Sequence, residues 1–344
     1  MRTTVDEAGM TIGVVGAGSW GTALANLLAG KGMIVDHWVY EADVLSEMKE
    51  HRENRRFLPG VRLAETLHPS GDLESVVAGK DLVLVVTPSH VTRETIARCG
   101  HAVGPQTIVV SASKGIENQS HLTMSGVLAE VVPGLAQDRL AVLTGPSFAW
   151  EVAHKMATVV TAASSNADTA VLVQQTFATP YFRVYTIDDV IGAELGAAVK
   201  NVIAIAAGVI DGLGLGLNTR AALITRGLVE IRRLGLAMGA QPRTFTGLAG
   251  VGDLILTCTG DLSRNHTIGR RIGEGDKLKD LLAGMHMVAE GIKTARSVYN
   301  LSRKLGVEMP ISHAIYHVLY DDLEPETALH QLMTRDLKQE LDEI

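Results

Sequence analysis

The segment TIGVVGAGSWGTALANLLAGKG, residues 11–32, decides the fold of the first half of the chain. Its opening TIGVV is short, apolar and rich in β-branched residues, which predicts a strand, and WGTALANLLAGKG (20–32) predicts a helix that ends at glycine. Between them, Gly16, Gly18 and Gly21 form a G-x-G-x-x-G pattern. In the dinucleotide fingerprint, such glycines permit a tight turn, close approach of the pyrophosphate and close helix packing. The context predicts a nucleotide-binding loop; the alternative is a glycine-rich turn without a ligand.

Further strands of the same kind follow in the first half of the chain. Four apolar runs lead into turn residues: MIVDHWVY (33–40), DLVLVVTPSH (81–90), QTIVVSASKG (106–115) and RLAVLTGPSF (139–148). Strands that are apolar on both faces and separated by helices indicate a parallel sheet covered on each side. We therefore predict an α/β fold with an N-terminal Rossmann-type, doubly wound sheet, whose ligands bind at the carboxyl ends of the strands.

The pattern changes after residue 187. Three long stretches have helical spacing and few strand signals: DDVIGAELGAAVKNVIAIAAGVIDG, TRAALITRGLVEIRRLGLAMGA and EGIKTARSVYNLSRKLG. We predict a dinucleotide-binding domain over residues 1–187 and a mainly helical substrate and catalytic domain over residues 188–344.

Composition excludes several classes of protein. The 344 residues are 46% hydrophobic and 20% charged, as in a globular protein, and the net charge of −7 argues against nucleic acid as a partner. Cys99 and Cys258 form neither a disulfide framework nor a metal motif. The start of the chain lacks a signal-peptide core, and the apolar run 196–210, broken by Lys200 and Asn201, is too short on either side to span a bilayer. These features predict a cytoplasmic protein with no integral membrane segment and no metal site.

The end of the second predicted strand bears on the choice of nucleotide. Glu41, after Tyr40, lies about 20 residues beyond the glycine loop, where an acidic residue holds the ribose hydroxyls and favours NAD. The basic stretch HRENRR (51–56) follows and could accommodate the extra phosphate of NADP. A solvated surface glutamate is the other interpretation of Glu41.

A lysine lies inside the apolar stretch GAAVKNVIAIAAGVI (196–210). Lysine is rarely buried unless it is paired. The helix positions on the same face as Lys200 are nearly all small: Ala193, Gly196, Ala197, Ile203, Ala204 and Ala207. This predicts that another segment comes close to the helix. Lys200 then either reaches a polar cavity or extends its stem to water.

Polar residues follow two other predicted strands. Lys114 comes after TIVVSAS, and Gly145 and Ser147 come after RLAVLT. Because ligands of an α/β sheet bind at the carboxyl ends of its strands, these residues are candidates for substrate binding. Ordinary turn chemistry is the alternative for each of them.

A further polar group lies in GLAGVGDLILTCTGDLSRNHTIG (247–269). Asp253 stands beside an apolar stretch. Ser263, Arg264 and Asn265 resemble a helix N-terminus with Ser263 as its cap. Helix N–H groups together with an arginine suit a phosphate group. The alternative is a capped helix without a ligand.

Taken together, these motifs resemble a known family. GAGSWGTALA, SASKG, GPSFA, AVKNVIAIAAG, TRAALITRGLVEI, GLAGVGDLILTCT, SRN and VAEG occur in the order found in bacterial-type NAD(P)-dependent glycerol-3-phosphate dehydrogenase. The resemblance extends from about residue 10 to 320. It implies reversible reduction of dihydroxyacetone phosphate, with NADH or NADPH, to sn-glycerol 3-phosphate for glycerophospholipid synthesis.

The resemblance also implies roles for individual residues. Lys200 matches the general acid/base. The substrate positions are Lys114, Gly145, Ser147, Lys200, Asp253, Ser263, Arg264 and Asn265. Beyond the glycine loop and Glu41, the cofactor positions are Ser19, Trp20, Tyr40, Lys114, Ala149, Arg264, Val288 and Glu290. Many bacterial relatives carry His or Arg at the position of Tyr40, so the choice between NAD and NADP stays open.

The implied chemistry accounts for a buried lysine. A free lysine, with a pKa of about 10.4, holds its proton too tightly for an efficient base at neutral pH. Burial and the positive Lys114 would lower the pKa of Lys200, whereas Asp253 would raise it. Two other functions fit the glycine loop alone: another two-domain dehydrogenase acting on a sugar phosphate or an opine, and a module that senses nicotinamide nucleotides. The apolar helical half favours a homodimer.

Overall fold

The computed structural model describes residues 9–283 and 289–340. By its contacts the chain divides into two compact units. The first comprises Met1–Ser113 and Met124–Val190, and the second comprises Lys114–Thr123 and Ile191–Ile344. From the sequence alone, we placed the boundary between residues 187 and 188. The contacts move the boundary by three residues and assign the short segment Lys114–Thr123, which begins at the end of the run QTIVVSASKG, to the helical unit.

The first unit contains an eight-stranded sheet and a small hairpin. The strands are β1 (Thr11–Val15), β2 (Ile34–Trp38), β3 (Glu53–Asn54), β4 (Leu58–Arg62), β5 (Leu67–Ser70), β6 (Leu82–Val85), β7 (Ile108–Ser111), β8 (Leu140–Thr144), β9 (Thr158–Ala163) and β10 (Phe182–Ile187). The order in the large sheet is β10-β9-β8-β7-β6-β1-β2-β5, and β3 pairs with β4. Strand β1 lies between β2 and β6, so the chain reverses direction across the sheet there, which is where such folds bind their ligands.

Alternating side chains of the strands build two cores on opposite faces of this sheet. Ile12 and Val14 of β1 belong to one cluster, and Val15 belongs to the other. The helices of the unit are α1 (Ser19–Gly30), α2 (Ala42–His51), α3 (Leu73–Val77), α4 (Ser89–Ala97), α5 (Met124–Val131), α6 (Ala149–Ala153) and α7 (Ala167–Phe177). The predicted doubly wound α/β sheet is confirmed.

Two details of the first unit differ from the prediction. Strands β3, β4, β5, β9 and β10 were not predicted, and β9 runs antiparallel to β8, so the large sheet is mixed rather than purely parallel. The second strand ends at Trp38, two residues before Tyr40, and Glu41 is the residue before α2. Tyr40 and Glu41 still follow the carboxyl end of β2.

The second unit is mainly helical, as predicted. Its helices are α8 (Val190–Gly212), α9 (Gly216–Ala237), α10 (Asp253–Thr259), α11 (Arg264–Gly273), α12 (Leu278–Ala283), α13 (Glu290–Leu305), α14 (Pro310–Tyr320) and α15 (Pro325–Met333). Helix α8 is buried from Gly192 to Ile210 and forms the centre of the hydrophobic core.

The small residues of α8 allow other backbone segments to come very close. A Cβ added at Gly196 would lie 2.2 Å from the carbonyl oxygen of Ala249, and one at Gly208 would lie 2.0 Å from that of His266. The predicted close neighbour of this helix is therefore confirmed. The contacts place the segments around residues 249 and 266 directly on α8.

One helix in the described part of the chain, α8, is long and apolar enough to cross a membrane, with a mean hydropathy of 1.6 in its most apolar window. Of that window, 89% is buried inside the protein. From the sequence we expect the apolar run to be too short on either side of Lys200 and Asn201 to span a bilayer, whereas α8 as a whole passes this test of length and composition. Core helices pass the same test of length and composition.

Candidate active site

The glycine loop of the first unit joins β1 to α1. Gly16 has φ of 118°, a conformation that favours glycine. A Cβ at Gly21 would lie 1.9 Å from the Gly16 carbonyl oxygen, so a larger residue could not pack there. Within the part of the chain that the structure describes, a Cβ at Gly18 would meet no heavy atom within 4 Å, and no side chain caps the N-terminus of α1. A tight turn, close packing and open space above the backbone together fit the pyrophosphate of a dinucleotide.

Two buried side chains that we did not identify from the sequence hold the backbone of this loop. His37 Nε2 lies 3.0 Å from the Gly16 carbonyl oxygen, and Asn54 Nδ2 donates to the Ala17 carbonyl oxygen at 2.9 Å. Burial lowers the pKa of His37 to about 4, so the ring is neutral at pH 7 and Nε2 carries the donated hydrogen. Neither residue belongs to a recognisable motif, so no sequence signal singled them out.

Three predicted cofactor residues lie around the start of α1 and α6. Ser19 Oγ donates to the Phe57 carbonyl oxygen at 2.6 Å. Trp20 and Ala149 pack against the same small apolar cluster, although they are far apart in sequence. The indole N–H of Trp20 is buried and has no hydrogen-bond acceptor among residues 9–283 and 289–340. The structure thus brings Trp20 and Ala149 together beside the glycine loop.

The two residues after β2 lie in different environments. Tyr40 is 74% exposed, and its ring centroid lies 5.8 Å from that of Trp38. Glu41 precedes α2 without capping it. The arginines proposed for a 2′-phosphate have carboxylate partners: Arg56 pairs with Asp43 at 3.4 Å, and Arg55 pairs with Glu53 at 3.2 Å. These exposed pairs are weak, so they leave the choice between NAD and NADP open.

Gly145 and Ser147 lie immediately after β8, at the carboxyl end that the sequence predicted for them. Gly145 has φ of 140°, a conformation that favours glycine. Ser147 Oγ donates a hydrogen bond to the carbonyl oxygen of Gly145 at 3.0 Å. The turn is therefore ordered by its own hydrogen bond. Their binding of substrate stays a prediction.

The second unit contains a compact cluster of charged residues around Asp253. Lys200 Nζ donates to one carboxylate oxygen of Asp253 at 2.5 Å, and Lys114 Nζ donates to the other at 3.0 Å. Asp253 is 1% exposed and Lys200 is 5% exposed. A buried carboxylate that bridges two ammonium groups satisfies the rule that buried charges are paired. Lys200 therefore does not extend its stem to water; its amine is buried against polar partners, in agreement with the first of the two alternatives.

An irregular helix places Asp253 at this point. Residues Leu248–Gly252 form a turn of π-helix, and Asp253 begins α10 directly after it. A Cβ at Gly250 would lie 2.2 Å from the Phe245 carbonyl oxygen, so the glycine lets the turn pack tightly. Short π-helical turns occur frequently at functional sites.

Electrostatics make the amine of Lys200 a proton donor and acceptor suited to neutral pH. Burial lowers its pKa to about 7; Asp253 opposes this shift, and the positive Lys114 adds to it. Burial and the positive charge of Lys114 both disfavour the charged amine, and together they outweigh the effect of the Asp253 carboxylate. An amine with this pKa has comparable amounts of its protonated and neutral forms near pH 7.

Sequence analysis missed one residue of this cluster. Lys200 Nζ also donates to Thr257 Oγ1 at 2.7 Å, and that hydroxyl donates to the Asp253 carbonyl oxygen at 2.6 Å. Thr257 is four residues beyond Asp253 on α10, so helical spacing could have identified it. The hydroxyl and the carboxylate together fix the position of the Lys200 amine.

A second group of predicted residues lies at the N-termini of α11 and α13. Ser263 caps α11, as predicted, and its Oγ accepts from the His266 N–H at 3.3 Å. Asn265 Oδ1 accepts from the Gly291 N–H at 3.0 Å. The Arg264 residue as a whole is exposed, but the surrounding protein displaces water from its guanidinium group, and this lowers the pKa of Arg264. The negative charge of Glu290 acts in the opposite direction and raises that pKa.

Contacts through Gly291 join this group to Lys200's helix. A Cβ at Gly291 would lie 2.6 Å from Asn265 Oδ1 and 2.7 Å from the carbonyl oxygen of Asn201. The N-termini of α11 and α13 therefore lie against α8, one residue beyond Lys200. The predicted cofactor position Val288 lies outside the described residues.

Comparison with protein families gives matches in both halves of the chain. The profile of the NAD-dependent glycerol-3-phosphate dehydrogenase N-terminus matches residues 11–170. The profile of the NAD-dependent glycerol-3-phosphate dehydrogenase C-terminus matches residues 189–330. The two matches include every predicted site residue described above.

Individual relatives agree with this result. The chain is 56% identical to glycerol-3-phosphate dehydrogenase [NAD(P)+] of Geobacter sulfurreducens, over 96% of this chain and 98% of the relative. It is 53% identical to the enzyme of the same name from Syntrophobacter fumaroxidans, over 98% and 99%. The crystal structure of glycerol-3-phosphate dehydrogenase from Coxiella burnetii is 40% identical, with a TM-score of 0.91 over 95% of this chain and all of that one. The chain belongs to the NAD-dependent glycerol-3-phosphate dehydrogenase family.

Proposed function

We propose that this protein reversibly reduces dihydroxyacetone phosphate to sn-glycerol 3-phosphate with NADH or NADPH, and so supplies the glycerol phosphate of glycerophospholipids. The observation that supports this most directly is the Lys200 amine, which is buried against Asp253 and has its pKa lowered to about 7. The family of the chain and the nucleotide loop after β1 agree with it. A module that only senses nicotinamide nucleotides would need the loop but no such amine.

When bound, the nicotinamide cofactor supplies the hydride for reduction of a carbonyl group. Lys200 is the general acid that gives a proton from Nζ to the carbonyl oxygen as it becomes a hydroxyl. In the reverse direction, neutral Lys200 removes that proton. Asp253 and Thr257 hold the amine in place, and the positive Lys114 stabilises negative charge on the substrate oxygen.

The phosphate of the substrate is assigned to the N-terminus of α11. Arg264 supplies a planar donor group, Asn265 supplies an amide, and Ser263 orders the first turn as its cap. Gly145 and Ser147 complete the proposed substrate positions. Gly16, Gly18, Gly21, Ser19, Trp20, Tyr40, Glu41, Ala149 and Glu290 are the proposed cofactor positions.

Absorbance of the reduced nicotinamide tests the proposed reaction. The purified protein is mixed with dihydroxyacetone phosphate and either NADH or NADPH. Rapid oxidation that depends on this substrate supports the proposal, and the ratio of the two rates gives the cofactor preference. If the protein oxidises neither cofactor with dihydroxyacetone phosphate but does so with a sugar phosphate or a keto acid, the proposed substrate is wrong.

The pKa of Lys200 predicts opposite pH dependences for the two directions. Reduction needs the protonated amine, so kcat/KM for dihydroxyacetone phosphate should fall as pH rises through about 7. Oxidation of glycerol 3-phosphate needs the neutral amine, so its kcat/KM should rise through the same range. Initial rates in both directions measure this. If the rates in both directions change only near about pH 10, the pKa of Lys200 is that of an ordinary lysine and the lowered pKa is wrong.

Arg264→Ala is predicted to weaken recognition of the phosphate. Because a hydrogen bond to a charged group contributes about 1.5–3 kcal/mol, the preference for dihydroxyacetone phosphate over dihydroxyacetone should fall about 10- to 100-fold. The measurement is the ratio of kcat/KM for the two substrates. Arg271→Ala is a matched control on the same helix, since Arg271 pairs with Asp276 at the surface. An unchanged ratio in Arg264→Ala would remove that residue from phosphate binding.

The location and assembly of the protein are also proposals. The family and the composition support a cytoplasmic enzyme, and the apolar helical half supports a homodimer. Cell fractionation tests the first, and sedimentation velocity at micromolar concentration tests the second. A monomer under assay conditions would contradict the homodimer.

A further inference from the structure

We propose that Gly291 is a positioning residue for the substrate: its backbone N–H fixes the side-chain amide of Asn265 so that the amide presents only hydrogen-bond donors to the ligand. This inference rests on the proposed function, because it assigns the ligand of Asn265 to the anionic substrate. Gly291 has no side chain to offer to a ligand. Its effect is exerted through Asn265.

The hydrogen bond determines which way the amide is turned. The Gly291 N–H can only donate, so the atom 3.0 Å away on Asn265 must be the carbonyl oxygen Oδ1. The other end of the amide, Nδ2, then carries two N–H donors. Asn265 as a residue is 8% exposed, and Gly291 is buried as well, so water does not readily replace this hydrogen bond. Asn265 therefore has one fixed orientation and offers donors only.

The absence of a side chain at residue 291 is needed for this arrangement. A Cβ there would lie 2.6 Å from Asn265 Oδ1, 2.7 Å from the Asn201 carbonyl oxygen and 2.9 Å from Ile205 Cδ1. Asn201 belongs to the buried centre of α8, so its backbone cannot readily move away. Any side chain at residue 291 must displace the first turn of α13 and with it the Asn265 amide.

A fixed donor has a consequence for specificity. The oxygens of a phosphate or a carbonyl group only accept, so they match Nδ2, whereas the opposite orientation of the amide would place Oδ1 against them. Asn265 directly follows Arg264, which carries a full positive charge, and the two lie in the first turn of α11. The Gly291 N–H thus selects the amide orientation that suits an anionic acceptor.

A double-mutant cycle measures whether Gly291 acts through Asn265. Gly291→Ala and Asn265→Ala should each raise KM for dihydroxyacetone phosphate about tenfold or more, with a smaller change in kcat. In the double variant, KM should lie within about twofold of Asn265→Ala alone, because no amide remains to be displaced. If the two effects multiply, or if Gly291→Ala leaves KM unchanged, Gly291 is not a positioning residue.

Gly212→Ala is the matched control for crowding a glycine. A Cβ at Gly212 would lie 2.2 Å from the Arg270 carbonyl oxygen, at the other end of α11. This variant should lower Tm without raising KM for dihydroxyacetone phosphate. An increase in KM equal to that of Gly291→Ala would show that any crowding of this unit has the same effect, and it would overturn the inference.

Two variants of Asn265 test the bond itself, even if Gly291→Ala does not fold. Asn265→Asp and Asn265→Leu both remove the donors, but only aspartate keeps an acceptor for the Gly291 N–H. Aspartate should keep the wild-type Tm, and leucine should lower it by about 3 °C or more, whereas both should lose affinity for the substrate. Equal Tm values for the two variants would contradict the bond. Failure of wild-type turnover would instead reject the proposed substrate.

Discussion

Replacement of Lys200 by methionine is expected to lower kcat for reduction of dihydroxyacetone phosphate about 10²- to 10⁴-fold. Methionine has a similar length and is apolar, so it should occupy the same buried space on α8 while offering no proton. Without a donor, the oxygen that receives negative charge during reduction must be protonated by water. Single-turnover and steady-state rates with either reduced nicotinamide measure the loss.

Folding and cofactor binding separate this effect from damage to the protein. Circular dichroism and cofactor binding by Lys200→Met should resemble those of the wild type, because the glycine loop lies in the other unit. Lys304→Met, which changes an exposed lysine of α13, should keep full turnover. If Lys200→Met retains kcat within about tenfold of the wild type, Lys200 is not the general acid.

Asp253→Asn should lower both activity and stability. The carboxylate binds the amines of Lys200 and Lys114, and removing one partner of a buried ion pair costs about 3–5 kcal/mol in the free energy of unfolding. Since Asp253 raises the pKa of Lys200, its loss should shift that pKa further below about 7. The limb of the pH profile for glycerol 3-phosphate oxidation should then move to lower pH, and reduction at pH 7 should slow.

The pH dependence of stability follows from the same shift. The pKa of Lys200 is lower in the folded protein than in the unfolded chain, so the unfolded chain binds more protons between the two values, and stability rises with pH across that window. In Asp253→Asn the window extends to lower pH. The loss of stability should therefore be larger at about pH 6 than at about pH 8.5. Urea unfolding at the two pH values measures it.

Glu230→Gln is the control for a buried carboxylate outside this cluster. Glu230 accepts from the Ile311 and Ser312 N–H groups at the start of α14. Its replacement should lower stability without moving the pH profile of turnover. If Asp253→Asn also leaves the profile in place, Asp253 does not influence the protonation of Lys200.

Local patterns were sufficient to predict most of the fold. The prediction for the first strand matches β1 to the residue, because TIGVV has a strand's composition and is followed directly by Gly16. Strand β9 was missed, and so was its antiparallel direction. Its residues, TVVTAA, are small and alternate weakly, so their pairing with β8 depends on a partner that is distant in sequence.

The candidate site was predictable where a residue carries its own signal. A lysine inside an apolar helix and a serine at a helix start both indicate their environment, and the structure pairs Lys200 and makes Ser263 a cap. His37, Asn54 and Thr257 were not found, because each acts through a partner that only folding brings near. The roles of all these residues in binding and catalysis stay predictions.

The sequence by itself therefore determined the α/β and helical architecture, the nucleotide loop and the family of this protein, since these depend on periodicity and on motifs of contiguous residues. Only the tertiary structure decided that Asp253 binds both Lys200 and Lys114, and that Gly291 turns the Asn265 amide. The tertiary structure also decided the direction of the pKa shift of Lys200, because burial and Lys114 lower this pKa while Asp253 raises it. Such competition depends on three-dimensional positions, which no local pattern contains.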